Sequence, residues 1–270
     1  MPHPLPLTGE RTLPGAAGEE YWFARHEAAY RWIVRTAHDQ LLGAVVAEAG
    51  SGEGYGAALL RDAGARHVVA LEFDPASVAH AATTYAGVTT LRANLAAMPL
   101  ADSSVDVLVS LQVVEHLWDL RAFLLDCRRV VRPGGSAVVS TPNRPVFSPG
   151  LERGEKPTNP FHVEEFDAEQ LRDLMADAGF TDVELHGLHH GSRIQDWEHS
   201  TNESLVGAQI REALNPTGRA GDADATQADA PSHDRSEWRD LRAFVASVDA
   251  SDFVVAGTAG AQDLIALGRA

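Results

Sequence analysis

Cysteine is nearly absent. Cys127 stands alone among 270 residues, so no internal disulfide forms and a reducing compartment is expected. Positive charge is scarce too: 22 Lys and Arg face 38 Asp and Glu, a net charge of -16. That balance argues against nucleic acid, whose phosphates are held by clustered cations, and equally against an anionic membrane surface. No apolar run approaches the roughly 20 residues of a membrane-spanning helix. The opening Met1-Pro2-His3-Pro4 lacks the basic-then-apolar pattern of an export leader. A cytoplasmic protein with no nucleic-acid or membrane partner is the expectation. The hydrophobic content of 44% is ordinary and sufficient for one large or two modest domains with a buried core.

The most informative stretch is Ala44-Val45-Val46-Ala47-Glu48-Ala49-Gly50-Ser51-Gly52-Glu53-Gly54-Tyr55-Gly56. A β-branched run ends in an acid, glycines alternate through a turn, and Ala57-Ala58-Leu59-Leu60 begins a helix. Glycines let the backbone turn tightly and let a ligand touch the main chain, and a helix start presents N–H groups with no partner in the helix. A second strand, His67-Val68-Val69-Ala70-Leu71-Glu72, ends in a carboxylate where a ribose diol is held in nucleotide-binding units. A dinucleotide fingerprint needs glycine three positions after Gly52, where Tyr55 stands. Glu48 beside the loop repels a pyrophosphate and suits a ligand with positive charge. Glu48, Gly50, Gly52, Gly54 and Glu72, in this order, resemble the first motif and following acid of class I S-adenosylmethionine (SAM)-dependent methyltransferases. SAM carries both an amino group and a sulfonium.

The pattern divides the chain into an N-terminal arm and lid helix (1–40), a core (41–189), a mostly helical insertion (190–250) and a last core strand (251–270). From Glu19 a helix places Trp22, His26 and Tyr30 along one face. Its aromatic and polar residues either close over a ligand or pack the helix on the sheet. Packing is favoured for Trp22 and Phe23, and both readings stand for Arg25 and His26. Strands are expected near 44–48, 67–72, 88–93, 104–110, 136–140, from 182 and at 263–267, alternating with helices. This predicts an α/β Rossmann-like fold with a mostly parallel seven-stranded sheet, helices on both faces and an antiparallel last strand. In the insertion, helices are expected at 203–214 and 236–247, with a mobile Gly-, Ala- and Asp-rich stretch at 215–235. His186, His189 and His190 are read as surface residues.

The resemblance extends through the core. Asn94-Leu95, with Met98-Pro99-Leu100 behind, resembles the stretch whose acid hydrogen-bonds the adenine amino group, with Asn94 replacing the usual Asp. Arg132-Pro133-Gly134-Gly135 before a strand resembles the family's third motif. What the resemblance implies for the cofactor is a site made by Glu48, Gly50, Gly52, Gly54, Glu72, Phe73, Asn94, Leu95, Leu111 and Arg25.

Substrate groups in such folds follow the fourth and fifth strands. Leu111-Gln112-Val113-Val114-Glu115-His116-Leu117 follows the fourth, and a helix starting there sets Gln112 and Glu115 or His116 on one face. His162 lies in the loop after the fifth. The set resembles the E-x-x-E-H plus distant His arrangement of metal-dependent O-methyltransferases. The implied metal ligands are Gln112, Glu115, His116 and His162 for Mg²⁺ or Mn²⁺, with Gln112 in place of the first Glu and Glu164 or Glu165 available as a further carboxylate. Glu115, His116 and His162 are the candidate catalytic residues, an imidazole serving as general base where it does not coordinate.

A closer resemblance runs over most of the chain. It joins Thr8-Gly9-Glu10-Arg11-Thr12, Glu20-Tyr21-Trp22-Phe23, Val113-Val114-Glu115-His116-Leu117-Trp118-Asp119 and Asn159-Pro160-Phe161-His162. These segments look like actinobacterial sugar 1-O-methyltransferases of methylmannose polysaccharide biosynthesis. The resemblance implies a short, partly methylated mannoside as acceptor, methylated at its anomeric hydroxyl, with Tyr21, His26, Asn143 and Arg144 binding it. Other readings are an O-methyltransferase of a quinone, phenol or other small metabolite, or a non-catalytic SAM-binding protein. A homodimer also stays open.

Overall fold

The computed structural model describes residues 5, 11–214 and 241–270. The β-branched runs become one sheet: β1 (Val45–Ala49), β2 (His67–Glu72), β3 (Val88–Arg92), β4 (Val105–Leu111), β5 (Val131–Pro142), β6 (Thr181–His190), β7 (Phe253–Ala256) and β8 (Asp263–Arg269). Their order across the sheet is β3-β2-β1-β4-β5-β8-β6-β7. The first five strands pair in parallel, and β8 enters antiparallel between β5 and β6. The Rossmann-like fold is present, with eight strands rather than seven. The additional one, β7, is four residues long and pairs with Gly187–His190 at the sheet edge. Four residues before a Gly-Thr-Ala-Gly turn are too short a run to stand apart from the strand that follows.

Helices flank the sheet: α1 (Glu20–Thr36), α2 (His38–Leu41), α3 (Tyr55–Asp62), α4 (Pro75–Thr84), α5 (Leu120–Val130), α6 (Arg144–Phe147), α7 (Ala168–Asp177), α8 (Ser192–Thr201) and α9 (Leu205–Leu214). Local chemistry sets their starts. Asp74 accepts from the Ala76 and Ser77 N–H groups with Pro75 in the first turn of α4. Asp167 and Gln170 form a reciprocal capping box at α7.

Strand residues alternate between two cores. Val46, Val107 and Val138 pack under α1 and α3, whereas Ala47, Leu108 and Ala137 pack with α5 and α7. β1 has β2 on one side and β4 on the other, so consecutive crossovers leave in opposite directions. The crevice at the carboxyl ends of β1 and β4 is where such sheets bind ligands.

After β6 come α8, α9 and a helical turn at 241–245, and the stretch 215–235 lies outside the described residues. His190 is not a surface residue. It is 3% exposed, and its Nε2 meets the Tyr21 hydroxyl at 2.7 Å. No helix among the described residues is long and apolar enough to cross a membrane.

Candidate active site

A cleft of about 310 Å³ opens between the glycine loop, the end of β2 and the end of β4. The loop is shaped by backbone that other residues resist. Gly50 has φ +82 and Gly52 φ +53. A methyl group added at Gly50 would be driven into Val113, whereas one added at Gly52 meets no atom within 4 Å. Gly52 therefore faces open cleft. Its N–H donates to Glu72 Oε2 at 2.9 Å, while the Phe73 and Asp74 N–H groups donate to Oε1 at 2.8 Å. Three backbone donors thus hold the Glu72 carboxylate in the cleft wall. Phe73, 66% exposed, and the buried Leu95 share that wall. Asn94 is exposed beside them, and its Oδ1 accepts from Ala96 N–H at 3.1 Å.

Glu48 lies behind the loop rather than in the cleft wall. It is fully buried at the end of β1 and accepts from the hydroxyl of Tyr30, which does line the cleft. Burial, above all, pushes its carboxyl up to about 8, against the pull of the Tyr30 hydrogen bond. The folded protein thus keeps a proton that the unfolded chain releases near the ordinary value of 4.5. The stability this contributes is complete below 4.5 and is lost as pH rises through about 8, at no more than about 1.4 kcal/mol per pH unit. Glu48→Gln keeps an acceptor for Tyr30 and removes the titration. Its melting temperature should gain on wild type across that window, as read from thermal melts in a pH series.

Several expected contacts are made elsewhere. Arg25 does not face the cofactor position. Its Nε donates to Asp263 Oδ2 at 2.7 Å and its Nη2 pairs with the other oxygen, because a cation 4% exposed requires a counter-charge. The same Nη2 reaches Gln112 Oε1 at 3.3 Å, and Gln112 Nε2 reaches Ser140 Oγ at 3.2 Å. Gln112 lines the cleft at φ +56, but its carbonyl oxygen is turned to a guanidinium and not to the expected metal set. No helix starts at Gln112, and a single 3-10 turn, Val114–His116, follows. Tyr21 is fully buried against His190 and cannot touch an acceptor. Asn143 donates to the Ala261 carbonyl at 2.8 Å, and Arg144 is buried in contact with Asp167 and Gln170. Both brace the connection after β5. Of the four expected acceptor contacts, His26 alone lines the cleft.

Glu115, His116 and His162 do converge, each presenting a ligand atom within 4.8 Å of the others. Glu115 is 1% exposed, and its Oε2 accepts from Thr141 Oγ1 at 3.1 Å. Burial, above all, pushes this carboxyl up to about 8, opposed by a backbone hydrogen bond and by His162. His116 Nδ1 lies 3.0 Å from the Phe161 carbonyl. A carbonyl only accepts, so Nδ1 carries the hydrogen and the lone pair of neutral His116 is on Nε2. That Nε2 is 3.9 Å from Glu115 Oε1. His162 Nδ1 meets Glu165 Oε1 at 2.7 Å, and the two imidazole centroids are 5.0 Å apart. A carboxylate behind one imidazole and a carbonyl behind the other are the supports metal-ligating histidines use. The donor set fits a divalent cation once the Asn159 amide, 3.0 Å from His162 Nε2, gives way to it.

Sequence reasoning passed over Arg11, Thr12, Tyr30, Glu53 and Tyr55 as members of the cleft. Arg11 pairs with Asp74 at 2.6 Å, and Thr12 Oγ1 is 3.3 Å from the Tyr55 hydroxyl, so the arm crosses the cleft mouth. Only the Thr8–Thr12 resemblance pointed there.

Residues 47–139 match a model of a methyltransferase domain. A probable S-adenosylmethionine-dependent methyltransferase of Mycolicibacterium smegmatis is 45% identical over 254 residues, covering 94% of this chain and 88% of that protein. One of Mycobacterium tuberculosis is 47% identical over 215 residues, 79% of this chain and 75% of the other. A SAM-dependent methyltransferase from Archaeoglobus fulgidus superposes with a TM-score of 0.57 at 15% identity, over 93% of this chain and 97% of that one, a likeness of fold.

Proposed function

The chain belongs to the S-adenosylmethionine-dependent methyltransferases, and on that premise we propose that it is an O-methyltransferase acting on a saccharide hydroxyl. The observation that carries this reading is the pair of imidazoles beside a buried carboxylate at one end of the cleft. The acceptor suggested by the sequence resemblance is a short, partly methylated mannoside, with its anomeric hydroxyl as the reacting group.

The glycine loop and Glu72 fit the cofactor. The open space at Gly52 would admit it against the main chain, Glu72 would accept from the ribose hydroxyls, Phe73 and Leu95 would flank the adenine, and Asn94 Oδ1 would accept from its amino group. Bound SAM supplies a methyl group on a cationic sulfur, and its transfer to a hydroxyl oxygen releases a proton. His116 takes that proton at Nε2, the tautomer being held by the Phe161 carbonyl. Glu115 Oε1 stands 3.9 Å from that same Nε2, and its ionised form, favoured above about pH 8, stabilises the imidazolium. The same three side chains would hold Mg²⁺ or Mn²⁺, which when bound lowers the pKa of a coordinated hydroxyl.

Labelled SAM offered with 3-O-methylmannose, whose anomeric hydroxyl is free, and with catechol and RNA tests the acceptor. Label is expected on the sugar. Transfer to catechol or RNA alone, or to nothing despite firm SAM binding, refutes the reading. A chelator that abolishes turnover, with recovery on adding Mg²⁺ or Mn²⁺, assigns the cation to Glu115, His116 and His162. Turnover indifferent to chelator assigns proton removal to His116 alone.

The arm should slow cofactor exchange. Arg11→Ala cuts its pairing with Asp74, worth up to about 1 kcal/mol at a half-exposed site. The SAM dissociation rate is expected to rise up to about fivefold and to lose part of its salt dependence, as measured by stopped-flow competition.

A further inference from the structure

Two large apolar side chains stand exposed beside the imidazole pair. Trp118 is 91% exposed and lies two residues after His116, and Phe161 is 52% exposed and directly precedes His162. Neither belongs to either core cluster among the described residues. The segments that carry them are tied together: the His116 side chain donates from Nδ1 to the Phe161 carbonyl, and Val163 N–H donates to the Glu115 carbonyl at 2.7 Å. Both rings therefore belong to the two loop segments that carry His116 and His162. Keeping an indole and a phenyl ring in water is unfavourable, and large apolar side chains left exposed beside a reaction centre are available to whatever binds there.

The rings flank groups that hydrogen-bond hydroxyls, on a protein whose net charge of -16 repels anions. The occupant they fit is a neutral ring with an apolar face of C–H bonds and an edge of hydroxyls. We propose that Trp118 and Phe161 form the acceptor platform, holding a pyranose by its apolar face while one hydroxyl points toward His116. This assignment rests on the saccharide reading and adds the residues that decide acceptor affinity.

5-Fluorotryptophan labelling of the full chain, with the Trp118 resonance assigned from Trp118→Phe, provides a probe that needs no turnover. 3-O-Methylmannose added to the complex with S-adenosylhomocysteine should move that resonance selectively and saturably. In kinetic assays, Trp118→Ala and Phe161→Ala should each raise acceptor KM by about tenfold, with SAM Kd near wild type and most of the loss recovered in Trp118→Tyr. Methylation of that sugar with an unmoved Trp118 resonance, or an unchanged KM in both alanine variants, overturns the platform while leaving the saccharide reading standing. Movement with catechol alone overturns both.

Discussion

Replacing His116 with alanine is expected to lower turnover by about 10²- to 10⁴-fold while SAM still binds close to wild type. The split follows from position. His116 lines the cleft but shares no hydrogen bond with the glycine loop or Glu72, and its ring is held by the Phe161 carbonyl, so its loss leaves the Gly52–Glu72 hydrogen bond untouched. What disappears is the Nε2 lone pair beside Glu115, and with it both a proton acceptor and a cation ligand. Initial rates with saturating SAM and calorimetric SAM titration read the two quantities separately. The half-buried His189, bonded to the Gly257 carbonyl and away from the cleft lining, serves as the matched control. Normal turnover in His116→Ala would remove this residue from the chemistry.

Gly52→Val should abolish SAM binding, an affinity loss of at least about 100-fold, in a protein that still folds. A Cβ added there meets no protein atom within 4 Å, so the side chain grows from open cleft into ligand space. Its own cost is the backbone at φ +53, on the order of 1–2 kcal/mol for a residue with a Cβ. Gly50→Val is the instructive contrast. There the new side chain meets Val113, and stability falls together with affinity. A melting curve beside a calorimetric titration distinguishes the two. Wild-type affinity in Gly52→Val would place the cofactor elsewhere.

Much of this was legible in the chain because the signals are local. The β-branched run before Gly50 and the acid at Glu72 announce strand, loop and wall, and Glu115-His116 announces itself by adjacency. What was not legible depends on distance. Arg25 read as a cofactor contact because nothing nearby neutralises it; its partner Asp263 is 238 residues away. Tyr21 read as a lid residue because its partner His190 arrives only with β6. Asn143 and Arg144 look polar and available, yet the loop they sit in uses them as its own braces. Gln112 was placed on a helix face by spacing alone, whereas its left-handed backbone turns it toward Arg25. Glu165, behind His162, was legible as a carboxylate and not as the residue that orients an imidazole.

The Arg25–Asp263 pair couples the first described helix to the opening residue of β8, a strand that lies between β5 and β6. Because β8 supplies the hydrogen bonds to both β5 and β6, the carboxylate that neutralises Arg25 arrives only with the strand that joins those two.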